Sequence, residues 1–312
     1  MPCYHPLDAY RFSKLALVAL SSSKHGTKLD PSQIFFGDPP LHQASLYDTF
    51  KVSCKRCIGC RMERSRLWAA RCVHEASLHK DNCFVTLTYD EQHLPRDGSV
   101  DNVAMQNFMK RLRKKFGEGI RFFGCGEYGS QFTRPHYHII IFNFDFQDKY
   151  LWTKRLNNQC YRSPALEKIW PFGLSEIGDV TKRSAAYVAR YVLKKVNGDA
   201  AEDHYKGLKP EFIQMSRNPG IGSAWLKKYH PDVYSYDQVV IDDKFICRPP
   251  EYYDRLYDII DHDHMEEIKK NRREFAKSLE GHPDRSPRRL ADREAVQVAR
   301  SNRLVRGFED VR

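Results

Sequence analysis

Arg134-Pro135-His136-Tyr137-His138-Ile139-Ile140-Ile141-Phe142 is the stretch on which the reading of this 312-residue chain turns. Its core is a histidine–aromatic–histidine triplet running straight into an apolar, β-branched segment. Successive side chains of a strand alternate faces, so His136 and His138 point one way and Tyr137 the other. Two imidazoles so spaced can share one cation. The apolar run after them implies a strand covered on both faces, and therefore a central one. The functional reading is a metal site on that strand; the bland one is two polar residues entering an ordinary core strand.

The preceding segment supplies a third donor. Residues 121–128 are predicted as a strand with Phe123, Cys125 and Glu127 on one face, and residues 129–133 as the turn back. In that antiparallel hairpin Glu127 lies near the turn, as do both histidines. Its carboxylate can complete a two-histidine, one-carboxylate site with positions open for substrate and water. A solvated hairpin carboxylate is the alternative.

Further on, residues 184–195 read as a helix, Ser-Ala-Ala-Tyr-Val-Ala-Arg-Tyr-Val-Leu-Lys-Lys. Tyr187, Tyr191 and either Lys194 or Lys195 share one of its faces. Two tyrosines at helical spacing are often plain core packing. A phenol titrates near 10, so a nucleophilic role needs a cation close by, which a bound metal and the lysines can provide.

Of nine cysteines, three form Cys54-x-x-Cys57-x-x-Cys60, flanked by Lys55, Arg56 and Arg61, which favour thiolate. The spacing reads as a structural zinc knuckle, with Cys3 as first candidate for the fourth ligand and Cys72 as second. An iron–sulfur cluster is disfavoured because no Cys-Pro follows. Three free thiols in a loop is the bland account.

The rest of the chain frames these motifs. Residues 1–50 read as short strands and loops. Helices are expected over 61–79, 101–116 (buried stripe Val103, Phe108, Leu112), 164–170 and 223–229. Strands are expected over 83–89 and 175–180, and 212–222 reads as a loop. Past residue 252 the sequence is charged and apolar-poor, which predicts a helix or two and then a partly disordered basic tail. A net charge of +11 favours a polyanionic partner. No apolar run reaches ~18 residues, the start lacks the features of a secretory signal, and no phosphate-binding Gly-x-x-x-x-Gly-Lys loop occurs.

Four stretches line up in order: Phe84–Thr88, Gly126-Glu127-Tyr128-Gly129, Arg134–His138 and Tyr187–Lys195. Together they resemble the HUH endonucleases that initiate rolling-circle replication, in the paired-tyrosine version of small single-stranded DNA phages. The N-terminal Cys3-Tyr4-His5-Pro6, the knuckle through Arg61 and the loop Met215-Ser216-Arg217-Asn218-Pro219-Gly220-Ile221-Gly222 resemble more closely the gokushovirus branch of the Microviridae. The resemblance covers roughly residues 1–230.

The resemblance implies an α+β fold: a central antiparallel, about five-stranded, RRM-like sheet flanked by helices. It carries an N-terminal Cys-rich knuckle and a basic helical or disordered C-terminal tail. Boundaries are expected at 1–60 for the knuckle segment, 61–245 for the endonuclease domain and 246–312 for the charged extension. His136 and His138 are expected to hold Mg2+ or Mn2+ with Glu127 as third ligand. Tyr187 or Tyr191 is expected to attack the viral strand at the origin, leaving a 5′-phosphotyrosyl link and a free 3′-OH. The other tyrosine makes the next cut, and rejoining releases a unit-length circle. Lys194 or Lys195 is expected to assist the phenolate or the leaving oxygen.

Single-stranded origin DNA is the expected partner, with phosphate contacts from Arg134, Lys110, Arg111, Lys114, the 61–71 helix and the basic tail; Trp68, Tyr128 and Phe132 are candidate stacking rings, with core packing the commoner use of any one of them. Host polymerase and a host helicase are expected to cooperate, in the host bacterial cytoplasm, with no membrane role. A transposase or relaxase with the same chemistry is an alternative enzyme. A non-enzymatic zinc-knuckle nucleic-acid-binding protein is the alternative of a different class; it explains charge and cysteines but leaves the histidine and tyrosine pairs as coincidence.

Overall fold

A computed structural model describes residues 3–13, 16–18, 33–39, 45–129, 134–155, 158–190, 200–242, 245–279 and 282–302. In chain order the elements begin with β1 (Leu7–Phe12), β2 (Phe35–Phe36), β3 (Tyr47–Val52) and helix α1 (Ile58–Ala76). Next come β4 (Asn82–Thr88), α2 (Asn102–Phe116), β5 (Arg121–Tyr128), β6 (Pro135–Phe142), β7 (Tyr150–Arg155) and β8 (Asn158–Arg162). Then follow α3 (Pro164–Ile169), β9 (Ser175–Asp179), α4 (Lys182–Arg190), α5 (Ala200–Tyr205), β10 (Phe212–Met215) and α6 (Ser223–Tyr236). The last are β11 (Val239–Asp242), β12 (Phe245–Cys247), α7 (Glu251–Ile260), α8 (His262–Ser278) and α9 (Pro287–Asn302). No helix among the described residues is long and apolar enough to cross a membrane.

Two compact units divide the described chain. The first joins the residues up to Glu63 to those from Leu279 onward, and contains the small sheet β2-β1-β3 and helix α9. The second runs from Arg64 to Ser278 around an antiparallel sheet in the order β10-β5-β6-β4-β9-β8-β7. The sheet thus has seven strands rather than about five. β7 and β8 extend one edge as a hairpin, and Phe212–Met215, expected as loop, pairs with Phe123–Gly126 at the other.

Tyr137, Ile139, Ile140, Ile141 and Phe142 of β6 are all fully buried, which requires cover on both faces of the sheet. Tyr137, Ile139 and Ile141 meet Met105, Phe108, Met109 and Leu112 of α2 and Leu166 and Ile169 of α3. Ile140 and Phe142 meet Ala69 and Cys72 of α1 and Ala185, Tyr187 and Val188 of α4. Each such side chain contributes ~1.5–3 kcal/mol by leaving water. The buried stripe of α2 corrects the sequence expectation at one position. Val103 is 49% exposed because it falls in the first turn, after the cap in which Asp101 Oδ1 accepts from its N–H at 2.9 Å. Gly117, with φ 97°, ends the helix.

The charged C-terminal stretch hides a third core. Tyr253, Tyr257, Met265 and Ile268 of α7 and α8 bury against Leu226, Val233 and Tyr234 of α6 and Ala70 of α1. Arg272 pairs there with Asp237 and with Asp254, the latter at 2.7 Å. Apolar residues are sparse in these helices, but they fall at helical spacing, so one side buries while the other stays charged. At Gly222 (φ 80°) an added Cβ would lie 2.2 Å from the Tyr253 hydroxyl, so only glycine fits. Its N–H donates to Glu75 Oε2 at 2.7 Å, and Glu75 also pairs with Arg121.

His74 of α1 lies inside this core, its ring stacked 3.6 Å from that of Trp225. Its Nε2–H donates to the Val240 carbonyl and its Nδ1 accepts from the Tyr253 hydroxyl, each at 3.0 Å. Burial brings its pKa down to about 4, against a partial rise from the Val240 bond. In the unfolded chain the same group titrates near 6.5, so below that pH unfolding takes up a proton that the folded ring refuses. The stability this costs is nil above pH ~6.5 and grows to about 3 kcal/mol as pH falls to about 4. Urea titrations at pH 7 and 4.5 are expected to show an acid loss smaller by about 2 kcal/mol in His74→Gln than in wild type. Equal losses in the two proteins would place the acid sensitivity elsewhere.

Candidate active site

The register of the sheet gathers polar groups on one face of its centre. Glu127 pairs with His136 across β5 and β6, and Thr86 with His138 across β4 and β6, so all four point the same way. This is the face that α1 and α4 cover. Glu127 and His138 are each 1% exposed.

His138 Nε2 and Glu127 Oε1 are 2.9 Å apart, and His138 Nδ1 and the Thr86 hydroxyl share a hydrogen bond of 3.1 Å. The ring of His138 is stacked parallel to Phe84, centroids 5.8 Å apart, which fixes its plane. Two ligands at right angles on an octahedral Mg2+, each at ~2.1 Å, stand about 3 Å apart, so this carboxylate–imidazole spacing suits a cation in place of the proton between them. His136 is prepared differently. Its Nδ1–H donates to the Arg134 carbonyl at 2.6 Å, leaving Nε2 as the lone-pair nitrogen. Its ring lies against Gly129, where a Cβ would come within 2.9 Å of Cε1. Burial and then the neighbouring His138 hold its pKa below the ordinary histidine value, which keeps it neutral and ligand-ready. The two imidazole centroids are 6.3 Å apart. With its ring tied to the Arg134 carbonyl, His136 does not close on Glu127 and His138 to the mutual spacing of 4.8 Å that the cysteine cluster below achieves.

Tyr187 comes to the same place from α4. That helix starts at a reciprocal cap: Thr181 N–H donates to Ser184 Oγ at 2.7 Å, and Ser184 N–H to Thr181 Oγ1 at 3.1 Å. Two turns on, Tyr187 sets its ring edge-on to His138, centroids 5.2 Å apart, and edge-on to Phe84. It is 3% exposed, so it belongs to the core and to the site at once. Tyr191, Lys194 and Lys195 lie outside the described residues.

The residues expected to contact DNA are dispersed. Helix α2, with exposed Lys110 and Lys114, packs on the opposite face of the sheet from the histidines. Arg111 serves the fold by donating to the Ile169 carbonyl at 2.9 Å. Arg134 donates to the Tyr89 carbonyl at 3.1 Å and pairs with Glu91. In α1, Arg71 is sandwiched between Trp68 and Tyr252, 4.0 and 4.1 Å from their ring centres, and donates to the Ile221 carbonyl at 3.0 Å. The Tyr128 hydroxyl is engaged with the Lys209 carbonyl at 2.6 Å, and Phe132 lies outside the described residues. Thr86 was not singled out from sequence; its signal is that it and Thr88 put hydroxyls on the histidine side of a strand whose other face, Cys83, Val85 and Leu87, is apolar.

In the first unit, Cys3, Cys54, Cys57 and Cys60 bring their four sulfurs within 4.8 Å of one another. Cys3, the first-choice fourth ligand, is there. Cys72, the second, is buried against the large sheet instead. Lys55 makes the knuckle turn with φ 59°. Backbone N–H groups point at the sulfurs: Cys54 to Cys3 at 3.2 Å, Cys57 to Cys54 at 3.3 Å, Tyr4 to Cys57 at 3.3 Å. Burial raises the Cys57 thiol, but N–H donation from Cys60 and Tyr4 outweighs it and brings the pKa to about 6. Four thiol ligands closing on one point fit a structural zinc ion.

The family model described as replication-associated protein ORF2/G2P matches residues 82–196. The chain is similar to replication-associated protein VP4 of Bdellovibrio phage phiMH2K, 36% identical over 219 residues, 67% of this chain and 68% of that one. It is similar to replication-associated protein ORF2 of Spiroplasma virus 4, 33% identical over 301 residues, 89% and 87% of the two chains. Replication-associated protein ORF4 of Chlamydia phage 1 is 35% identical over 163 residues, 49% of this chain and 40% of its own. No solved structure matches.

The cysteine geometry predicts about one zinc per purified chain by elemental analysis. Cys57→Ser is expected to lose most of it and Cys160→Ser to keep it. Full zinc in the Cys57 variant would dismiss the site.

Proposed function

The chain belongs to the replication-associated proteins of Microviridae-type phages, and from that premise we propose that it initiates replication as a tyrosine-dependent nicking and joining enzyme. The observation that carries the reading is the Tyr187 ring set against His138, whose Nε2 is 2.9 Å from Glu127 on a buried central strand.

His136, His138 and Glu127 are the residues that would hold Mg2+ or Mn2+. When bound, the ion neutralises charge on the scissile phosphate and makes its phosphorus more electrophilic. The remaining work belongs to side chains. Thr86 holds the His138 ring, Gly129 makes room for that of His136, and α4 delivers the phenol. Its oxygen forms a bond to phosphorus as the bond to the 3′ oxygen breaks; the phenol gives up its proton and the 3′ oxygen gains one. The products are a 5′-phosphotyrosyl link on viral-strand DNA and a free 3′-OH for host polymerase. The bond energy is retained, so the reverse reaction joins ends without ATP. Tyr191 would make the second cut, with Lys194 or Lys195 assisting the oxygens, and rejoining would release a unit-length circle. We place this in the host bacterial cytoplasm, with a host helicase opening the duplex.

On a denaturing gel, labelled single-stranded origin DNA with protein and Mn2+ is expected to give a slow, protease-sensitive adduct. Tyr187→Phe is expected to weaken it, the Tyr187→Phe/Tyr191→Phe double variant and EDTA to abolish it. DNA binding with no adduct would instead favour the binding-protein reading that the charge and cysteine cluster support. A second test addresses Thr86, which orients a ligand from behind: Thr86→Val is expected to raise the Mn2+ concentration for half-maximal adduct by ~10–100-fold. An unchanged requirement would refute that role.

A further inference from the structure

The β7–β8 hairpin is not used by the mechanism above, and its surface is unusual. Tyr150 and Leu151 are each 47% exposed and Trp152 is 55% exposed, three large apolar side chains in succession on the outermost strand of the sheet. From Lys149 to Arg162 the sequence carries four basic residues and no acidic one. The Arg162 guanidinium sits over the Trp152 ring, 4.9 Å from its centre, and is held by Glu167 at 2.8 Å.

The register puts this aromatic–basic edge on the histidine side of the sheet. Thr86, on the face of His138, pairs with Glu176, so Ile177 faces the other way. Tyr161 pairs with Ile177, which turns its neighbour Arg162 back to the Thr86 face together with Tyr150, its own partner. Trp152 joins them beneath Arg162. The pairing slips by one residue between Leu151 and Thr153, so Trp152 stands at a bulge, a device that re-aims a side chain and spoils an edge for pairing with another strand.

We propose that Tyr150, Trp152 and Arg162 form a stacking platform for single-stranded DNA, lying on the site's face of the sheet and three strands from β4. The proposal rests on the replication reading for its choice of polymer. Exposed rings accept bases of any identity, and the adjacent cations accept phosphates. The chief rival occupant is a second copy of this chain, paired along β7; the bulge opposes it.

The test is fluorescence anisotropy of a labelled 20-nucleotide oligo-dT with the full chain in EDTA, so that no cutting intervenes. Trp152→Ala is expected to weaken binding about 5- to 100-fold and Trp152→Phe by under about 3-fold. The slope of log affinity against log salt should hold in both, whereas Lys154→Ala should reduce it by about one phosphate contact. Wild-type affinity in Trp152→Ala would overturn the proposal. So would a dimer in sedimentation that Trp152→Ala dissolves while affinity stays intact. Trp152-dependent binding by a wild-type protein that forms no adduct would retire the nicking reading and leave the platform standing.

Discussion

Strand β6 is buried on both sides, and its pairing with β4 and β5 is what the second unit depends on. One face must carry Tyr137, Ile139 and Ile141 into the α2–α3 layer, and the other must carry His136, His138, Ile140 and Phe142 toward α1 and α4. A slip of one residue would exchange the two sets, burying imidazoles in a dry aliphatic layer and removing isoleucines from it. The packing that stabilises the fold therefore also fixes which way the histidines point. Site and core are two sides of one register.

That coupling explains why the centre could be read from sequence. The His-x-His spacing, the apolar run behind it and the turn before it all report local geometry. They put Glu127 near the turn with both histidines, and the register then set it opposite His136. What sequence misjudged depends on distant partners. Arg71 reads as part of a basic helix surface until Tyr252, far along the chain, closes over it. Phe212–Met215 is too short to announce a strand, and becomes one because β5 offers an unpaired edge. The helices after residue 250 look like a solvated tail because their buried side is narrow. Trp152 passed unnoticed since nothing local marks its exposure.

The two groups of metal-capable side chains differ in preparation. The cysteines already share a common centre, which suits a permanent structural ion. In the sheet, the His138–Glu127 pair is at ligand spacing while His136 is tied to a carbonyl, and the Tyr187 ring stands edge-on to His138. A site that must exchange substrate has reason to be less closed than one that only holds the chain together.

The first unit is assembled from both ends of the described chain. Leu290 of α9 packs on Tyr4 and Cys57, His5 meets Glu294 at 2.5 Å, and Gln297 reaches the Met62 sulfur at 3.1 Å. During synthesis the knuckle and the whole large sheet leave the ribosome before α9 exists. The second unit can fold in that interval, while the surface around the knuckle waits uncovered for a helix more than two hundred residues away. A chain cut short after β10 but before α9 would carry all seven strands of the large sheet and a cysteine cluster without its Leu290 cover.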